Sequence, residues 1–197
     1  ASYVGKTVYE ISENLGKSPW DTLVDIALAD DLETSFGNPV SDEPDADWEA
    51  RVEVWRDPRA VIGASDAGAH LDLFLSSNYT TYMLGEAVRK RNLLQLEEAI
   101  QMITQIPAEL YGLRDRGVIK EGAYADLVVL DEKFVGSNPI TIKNDLPLNA
   151  SRLFADATGI ENVFCNGKEI VDNGDFTEER PGLVLRSGKH TRNPSMV

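Results

Sequence analysis

Apolar positions three and four residues apart organise the first half of the chain, whereas runs of branched residues broken by glycine turns organise the last third. Val8, Ile11 and Leu15 share one helical face, with Thr7 and Glu10 spaced as a capping box and Gly16 as the stop. Ser18-Pro19 predicts a second helix, a cap followed by proline in the first turn, with Trp20, Leu23, Val24 and Ala27 as its apolar stripe up to about Leu32. Residues 33–38 pattern as a short strand, and the acidic residues from Ser41 to Asp47 as a solvated loop. Trp48, Val52 and Trp55 then recur at helical spacing and predict a helix from Ala46 to Arg56, ended ahead of Pro58. The run from Ala60 to Ala64 is short, apolar and flanked by breakers, so it reads as a strand buried on both faces. The order strand, helix, strand is that of a βαβ unit in a parallel sheet, an α/β fold class.

Further along, a helix is predicted from near Thr80, carrying Leu84 and Val88 and ending in Arg89-Lys90-Arg91, cations suited to a helix carboxyl terminus. Another runs from about Leu96 to Gln105 with Leu96, Ile100 and Ile103 inward, and Pro107 starts a short turn that Gly112 closes. Beyond Arg114 the texture becomes β. Residues 117–122 read as a short strand and turn, residues 125–131 as a branched strand, and the stretch from 131 to 157 as a polar connection. Asn166-Gly167, between two apolar runs, is a strong hairpin signal, and Asn173-Gly174 turns the chain again. Residues 183–185 form one more strand candidate, within an end that reads as a mobile tail.

The 33 acidic and 19 basic residues leave a formal net charge of −14, which argues against nucleic acid or an anionic membrane as partner. Cys165 is the single cysteine, so neither an internal disulfide nor a thiolate metal cluster is available. No secretory signal is expected at Ala1–Gly5, and no apolar run approaches the roughly 20 residues of a membrane helix. A cytoplasmic protein is the expectation.

Asp66 changes the picture. It follows the apolar run immediately, so its carboxylate would project from the carboxyl end of a buried strand, where parallel barrels and open sheets place their chemistry. Two readings stand: a turn or capping aspartate, and a catalytic carboxylate. His70, four residues on, is either a substrate-side histidine or a loop histidine bonded to local backbone. His190 lies near the end and reads as solvent-exposed.

Two stretches carry a family resemblance: Gly63-Ala64-Ser65-Asp66-Ala67-Gly68-Ala69-His70, and the segment Tyr111 to Asp131 with Gly112-Leu113, Gly117-Val118-Ile119, Gly122 and Ala125-Asp126-Leu127-Val128-Val129-Leu130. The second resembles the segment that links barrel to small β domain in the amidohydrolases. Within that superfamily the chain is most similar to the N-acyl-D-amino-acid deacylases, the D-aminoacylase group. Leu96-Glu97-Glu98-Ala99-Ile100, Pro107-Ala108 and Phe164-Cys165-Asn166-Gly167 add to the match.

The resemblance implies a metal-dependent hydrolase with a (β/α)8 barrel that holds one or two divalent ions, Zn2+ being expected, plus a small β-sandwich. Residues 1–113 would be the carboxyl-terminal portion of the barrel, and residues 114–197 the β-sandwich domain and tail. Asp66 matches the aspartate after the eighth strand, a metal ligand or the general base; His70 would reach the substrate side. The substrate would be a small N-acyl amino acid, cleaved at a non-peptide C–N bond. The family's His-x-His pair and its other histidine ligands find no counterpart, since His70 and His190 are the only histidines. The chain by itself is therefore expected to be inactive and, with about a quarter of a barrel's strands, to self-associate. A cyclic amidohydrolase of the hydantoinase or dihydroorotase kind, and a non-catalytic structural fragment, are the alternatives.

Overall fold

The computed structural model describes residues 3–32, 34, 36 and 43–192, and the chain folds as two compact units, residues 1–44 and 45–197. In the first unit, α1 (Val8–Leu15) starts as its sequence predicts. The Thr7 hydroxyl accepts from the Glu10 amide at 3.1 Å while the Glu10 carboxylate accepts from the Thr7 amide at 2.8 Å, and Gly16 closes the helix in the left-handed region at φ 63°. Hydrogen bonding to Thr7 holds the Glu10 carboxyl below its ordinary range. Ser18 caps α2 (Pro19–Ala29), and Ile11, Ser12 and Thr22 are buried. Trp20 departs from the predicted stripe: it is 71% exposed, and Thr22 occupies the buried face instead. The predicted strand at 33–38 and the start of the acidic loop lie largely outside the described residues.

The second unit is built on α3 (Asp45–Arg56), whose Trp48 and Val52 pack with Met83, Leu84, Ala87, Leu94, Ala99, Met102 and Val135 in a single buried cluster. Trp48 is 1% exposed, and its indole N–H has no hydrogen-bond partner among the described residues. Leaving that donor unmet costs about 1–3 kcal/mol, less than the roughly 3–5 kcal/mol that truncating a buried tryptophan removes. The guanidiniums of Arg51 and Arg91 lie 4.7 and 4.9 Å from its ring centre. Arg91 also pairs with Glu86 and, at 3.0 Å, with Asp45, and Arg56 makes a two-pronged bond to Glu98, tying α3 to the helices that follow.

Those helices are α4 (Tyr79–Met83), which continues without a break into a π-helical turn, Leu84–Lys90, then α5 (Leu96–Ile103) and α6 (Gln105–Leu110). The wider winding is visible in the bond from the Arg91 amide to the Glu86 carbonyl, 3.1 Å. It brings Gly85 against the backbone of β2 (Gly136–Ser137): a Cβ on Gly85 would stand 3.0 Å from the Gly136 Cα. Arg89 Nε donates to the Val135 carbonyl at 3.1 Å, and Asn78 Nδ2 to Ser137 Oγ at 2.8 Å, so helix and strand are pinned on both sides of the glycines.

The β structure is antiparallel in every pairing of the described residues. A four-stranded sheet has the order β1 (Leu127–Leu130), β6 (Ile160–Cys165), β7 (Lys168–Asp172), β8 (Asp175–Phe176). β2 pairs with β5 (Ala157–Thr158), and β3 (Thr141–Lys143) with β4 (Arg152–Phe154). Both predicted turns form, with left-handed Asn166 and Gly167 (φ 49° and 78°) and left-handed Asn173 and Gly174 (φ 48° and 88°), as a two-residue type I′ connection requires.

Several expectations are corrected. The run Ala60–Ala64 is in no strand and is not buried on both faces, since Val61, Gly63 and Ala64 are exposed, and the parallel βαβ unit is absent among the described residues. An apolar run becomes a strand only when a neighbour completes its ladder, and no described segment pairs with this one, although Ile62 packs against the buried cluster. Residues 117–122 form no strand either: Gly117 and Gly122 adopt φ 86° and 83°, and a turn bonds the Ala123 amide to the Lys120 carbonyl. The 131–157 connection is not structureless but contains β2, β3, β4 and a 3-10 turn, Pro147–Asn149. Residues 183–185 are not a strand, and the chain near 190 is docked rather than loose, with an antiparallel bridge between Leu113 and Thr191 and a bond from the Arg192 amide to the Gly112 carbonyl at 2.8 Å.

The helix-to-strand contact generates a stability prediction. Gly85→Ala should destabilise by about 1 kcal/mol, the crowding of its methyl against the Gly136 backbone outweighing the helix propensity that alanine adds. Gly182→Ala, at a site with nothing within 4 Å and no left-handed φ, should leave stability nearly unchanged. Urea unfolding of the two variants measures the difference.

Candidate active site

The segment that carries Asp66 is shaped by local hydrogen bonds. After α3 ends, Asp57 clamps Arg59 through two side-chain bonds of 2.9 and 2.5 Å, and the Ala60 amide bonds to the Asp57 carbonyl at 2.9 Å. The chain then runs without regular structure to Ser65, whose hydroxyl accepts from the Ala67 amide at 3.1 Å and turns it. Asp66 sits at the apex of that turn with φ 54°, exposed. Aspartate and asparagine tolerate this left-handed geometry better than other residues with a Cβ.

His70 lies on the same loop, also left-handed at φ 48°, and its carbonyl accepts from the amides of Leu73 and Phe74 at 2.9 and 2.8 Å. Its ring meets that of Phe74 edge-to-face at 5.8 Å. A bond from the Leu153 amide to the Leu71 carbonyl, 2.8 Å, fastens the loop to β4. Between them opens a cleft of about 750 Å³, with His70 and Asp72 on the loop side and Asn144, Asn149 and Ser151 on the other. Asp66 stands on the loop but does not line the cleft. The structure thus puts His70 at a cavity four residues from Asp66 and leaves Asp66 open to solvent.

The cleft residues of the 144–151 segment were not apparent in the sequence. Their signal was turn chemistry, Asn-Asp-Leu-Pro-Leu-Asn, which forms a left-handed pair at Leu148 and Asn149. His190 is not part of the site. It is half-buried rather than solvent-exposed, its Nδ1 accepts from the Arg186 amide at 2.8 Å, and its carbonyl accepts from the Arg114 amide.

A zinc ion is ordinarily held by three or four protein ligands. Among the described residues no group of three histidine, cysteine, aspartate or glutamate side chains is placed to hold a metal, so Asp66 is a lone carboxylate and these residues do not by themselves fit a metal centre.

Residues 26–171 match the family model described as "Amidohydrolase family". The chain belongs to the amidohydrolase family. The matched range includes Asp66, His70 and the strands through β7. Among individual proteins, an N-acyl-D-aspartate deacylase of Alcaligenes xylosoxydans xylosoxydans is 37% identical over 55% of this chain and 20% of its own length. A D-aminoacylase of the same organism is 28% identical over 92% of this chain and 34% of its own. A solved N-acyl-D-glutamate deacylase from Bordetella bronchiseptica, complexed with zinc and a phosphonate inhibitor, is 35% identical over 54% of this chain and 20% of that one, at a TM-score of 0.41. This amidohydrolase chain therefore spans about a fifth to a third of the length of the relatives it matches.

The left-handed apex generates a prediction about Asp66. Asp66→Val places a branched residue at φ 54° and should cost about 1–2 kcal/mol, whereas Asp66→Asn keeps a side chain suited to that conformation and should leave the unfolding midpoint where it was. Denaturant titration of both variants is the check.

Proposed function

We propose that this chain is one part of a deacylase acting on N-acyl-D-amino acids, with Asp66 as its catalytic carboxylate. The observation that carries the reading is the 37% identity to an N-acyl-D-aspartate deacylase over 55% of the chain, beside a family match that spans Asp66. Residues 1–113 are read as part of a hydrolase barrel and residues 114–197 as part of a small β-sandwich. The unpaired apolar run at 60–64 suits a barrel strand whose neighbours lie outside these residues, and the exposed Leu73 and Phe74 suit a surface that further chain covers.

Hydrolysing an amide needs a water made nucleophilic near neutral pH and an amine that leaves protonated. A solvent-open carboxylate at a loop apex meets both needs: it takes a proton from the attacking water as the C–O bond forms, and passes it to the nitrogen as the C–N bond breaks. His70, which lines the cleft, is read as the residue that binds the substrate by hydrogen bonding. Zinc is the metal expected in the complete enzyme, its remaining ligands lying outside the described residues.

The test is a hybrid in which this chain replaces the matching segment of the Alcaligenes N-acyl-D-aspartate deacylase. The hybrid should release D-aspartate from N-acetyl-D-aspartate, and Asp66→Asn should lower kcat by about 10²- to 10⁴-fold, the range of a lost general base, with the fold retained. A folded Asp66→Asn hybrid turning over at the unsubstituted rate would remove Asp66 from the mechanism.

A further inference from the structure

The sheet contains two Asn-Gly turns in succession, and their backbones are nearly the same: φ 49° and 78° at Asn166-Gly167, φ 48° and 88° at Asn173-Gly174. Their side chains are held very differently. Asn166 is built into a lock. Its Oδ1 accepts from Arg116 Nη2 at 2.7 Å, its Nδ2 donates to the Pro181 carbonyl at 2.7 Å, and its amide donates to Asp126 Oδ1 at 2.8 Å. The Gly167 amide, the atom that would have to react, donates to the Ala125 carbonyl at 2.9 Å. Arg116 itself pairs with Asp126 and lies 4.0 Å from the Tyr124 ring centre, and its side chain is 11% exposed.

Asn173 has none of this. Its Nδ2 donates to the neighbouring Asp172 carboxylate at 2.8 Å, both groups exposed, and no bond from the Gly174 amide is present among the described residues. Asparagine before glycine is the sequence most prone to cyclise, because no Cβ hinders the following amide.

We infer that Asn173 is a site of spontaneous deamidation in the folded protein and that Asn166 is protected from the same reaction by the Arg116–Asp126–Pro181 lock. In the reaction the Gly174 nitrogen attacks the Asn173 Cγ and loses its proton to solvent. The Cγ–Nδ2 bond breaks, and the nitrogen leaves as ammonia with a proton from water. Water then opens the cyclic imide to an aspartyl or isoaspartyl residue, so the net change is one water consumed, one ammonia released and one carboxylate gained. No oxidant or metal takes part. The new charge falls beside Asp172 and Asp175 on a chain that already carries −14. At Asn166 the same change would set a second carboxylate beside Asp126 and remove the donor that holds the Pro181 carbonyl. The lock therefore holds the chain at Pro181 as well as the turn.

Opening the lock breaks several hydrogen bonds together, so Asn166 should react at least about tenfold more slowly than Asn173 in the native protein. The test is incubation of the full chain at mildly alkaline pH, with peptide mapping by mass spectrometry at both turns, in buffer and in urea. The expected result is modification at Asn173 alone in buffer and comparable rates at both turns in urea. Arg116→Met should raise the Asn166 rate in buffer while leaving Asn173 unchanged; if that variant does not fold, the ratio between buffer and urea at Asn166 still decides. Equal native rates at the two turns, or an unmodified Asn173 in buffer with both reacting in urea, would overturn the inference.

Discussion

One close approach sets the geometry of the second unit: the π-helical turn at Leu84–Lys90 lies on β2 with glycine on each side, Gly85 facing Gly136. Backbone meeting backbone leaves no side chain to adjust, and the position of the helix against the strand is correspondingly definite. The contact carries Val135 into the buried cluster beside Trp48 and Leu84, and Arg89 and Asn78 add directional bonds around it. Downstream, β2 pairs with β5, and left-handed Gly159 leads from β5 into β6, where the four-stranded sheet begins. Gly85 and Arg89, four residues apart, both face the strand from this turn.

The candidate site depends on the same frame at one remove. β4 follows the β2–β3 segment and holds the loop of Asp66 and His70 through the single bond between Leu153 and Leu71. The loop's own shape is local, made by the Ser65 turn and by left-handed residues at 66, 68 and 70. His70 lines the cleft, and Asp66 stands on the same loop outside it.

What could be read in the sequence was what is decided within a few residues. The capping box at Thr7 and Glu10, the left-handed stop at Gly16, the helix of Trp48 and Val52, and the Asn-Gly turns all formed where local chemistry put them. The failures share a cause. Ala60–Ala64 has a strand's composition, but whether it becomes one depends on a neighbour that nothing in its own residues specifies. The short strands β2 and β5 were missed because a two-residue pairing has no periodicity to detect. Trp20 fits an apolar stripe, yet α2 buries Thr22 instead. Asp66 was legible as a candidate through its position after the run, whereas its cleft was not, because the opposite wall comes from residues about 80 positions away whose only sign was turn chemistry.

In the proposed function the chain contributes one carboxylate, Asp66, to a metal-dependent site that its described residues do not complete. Zinc analysis tests this most directly: the purified chain is equilibrated with zinc, desalted, and its bound metal compared with that of its Asp66→Asn variant. The account predicts that neither protein retains stoichiometric zinc. One zinc per chain, held by the unsubstituted protein and lost on Asp66→Asn, would contradict it.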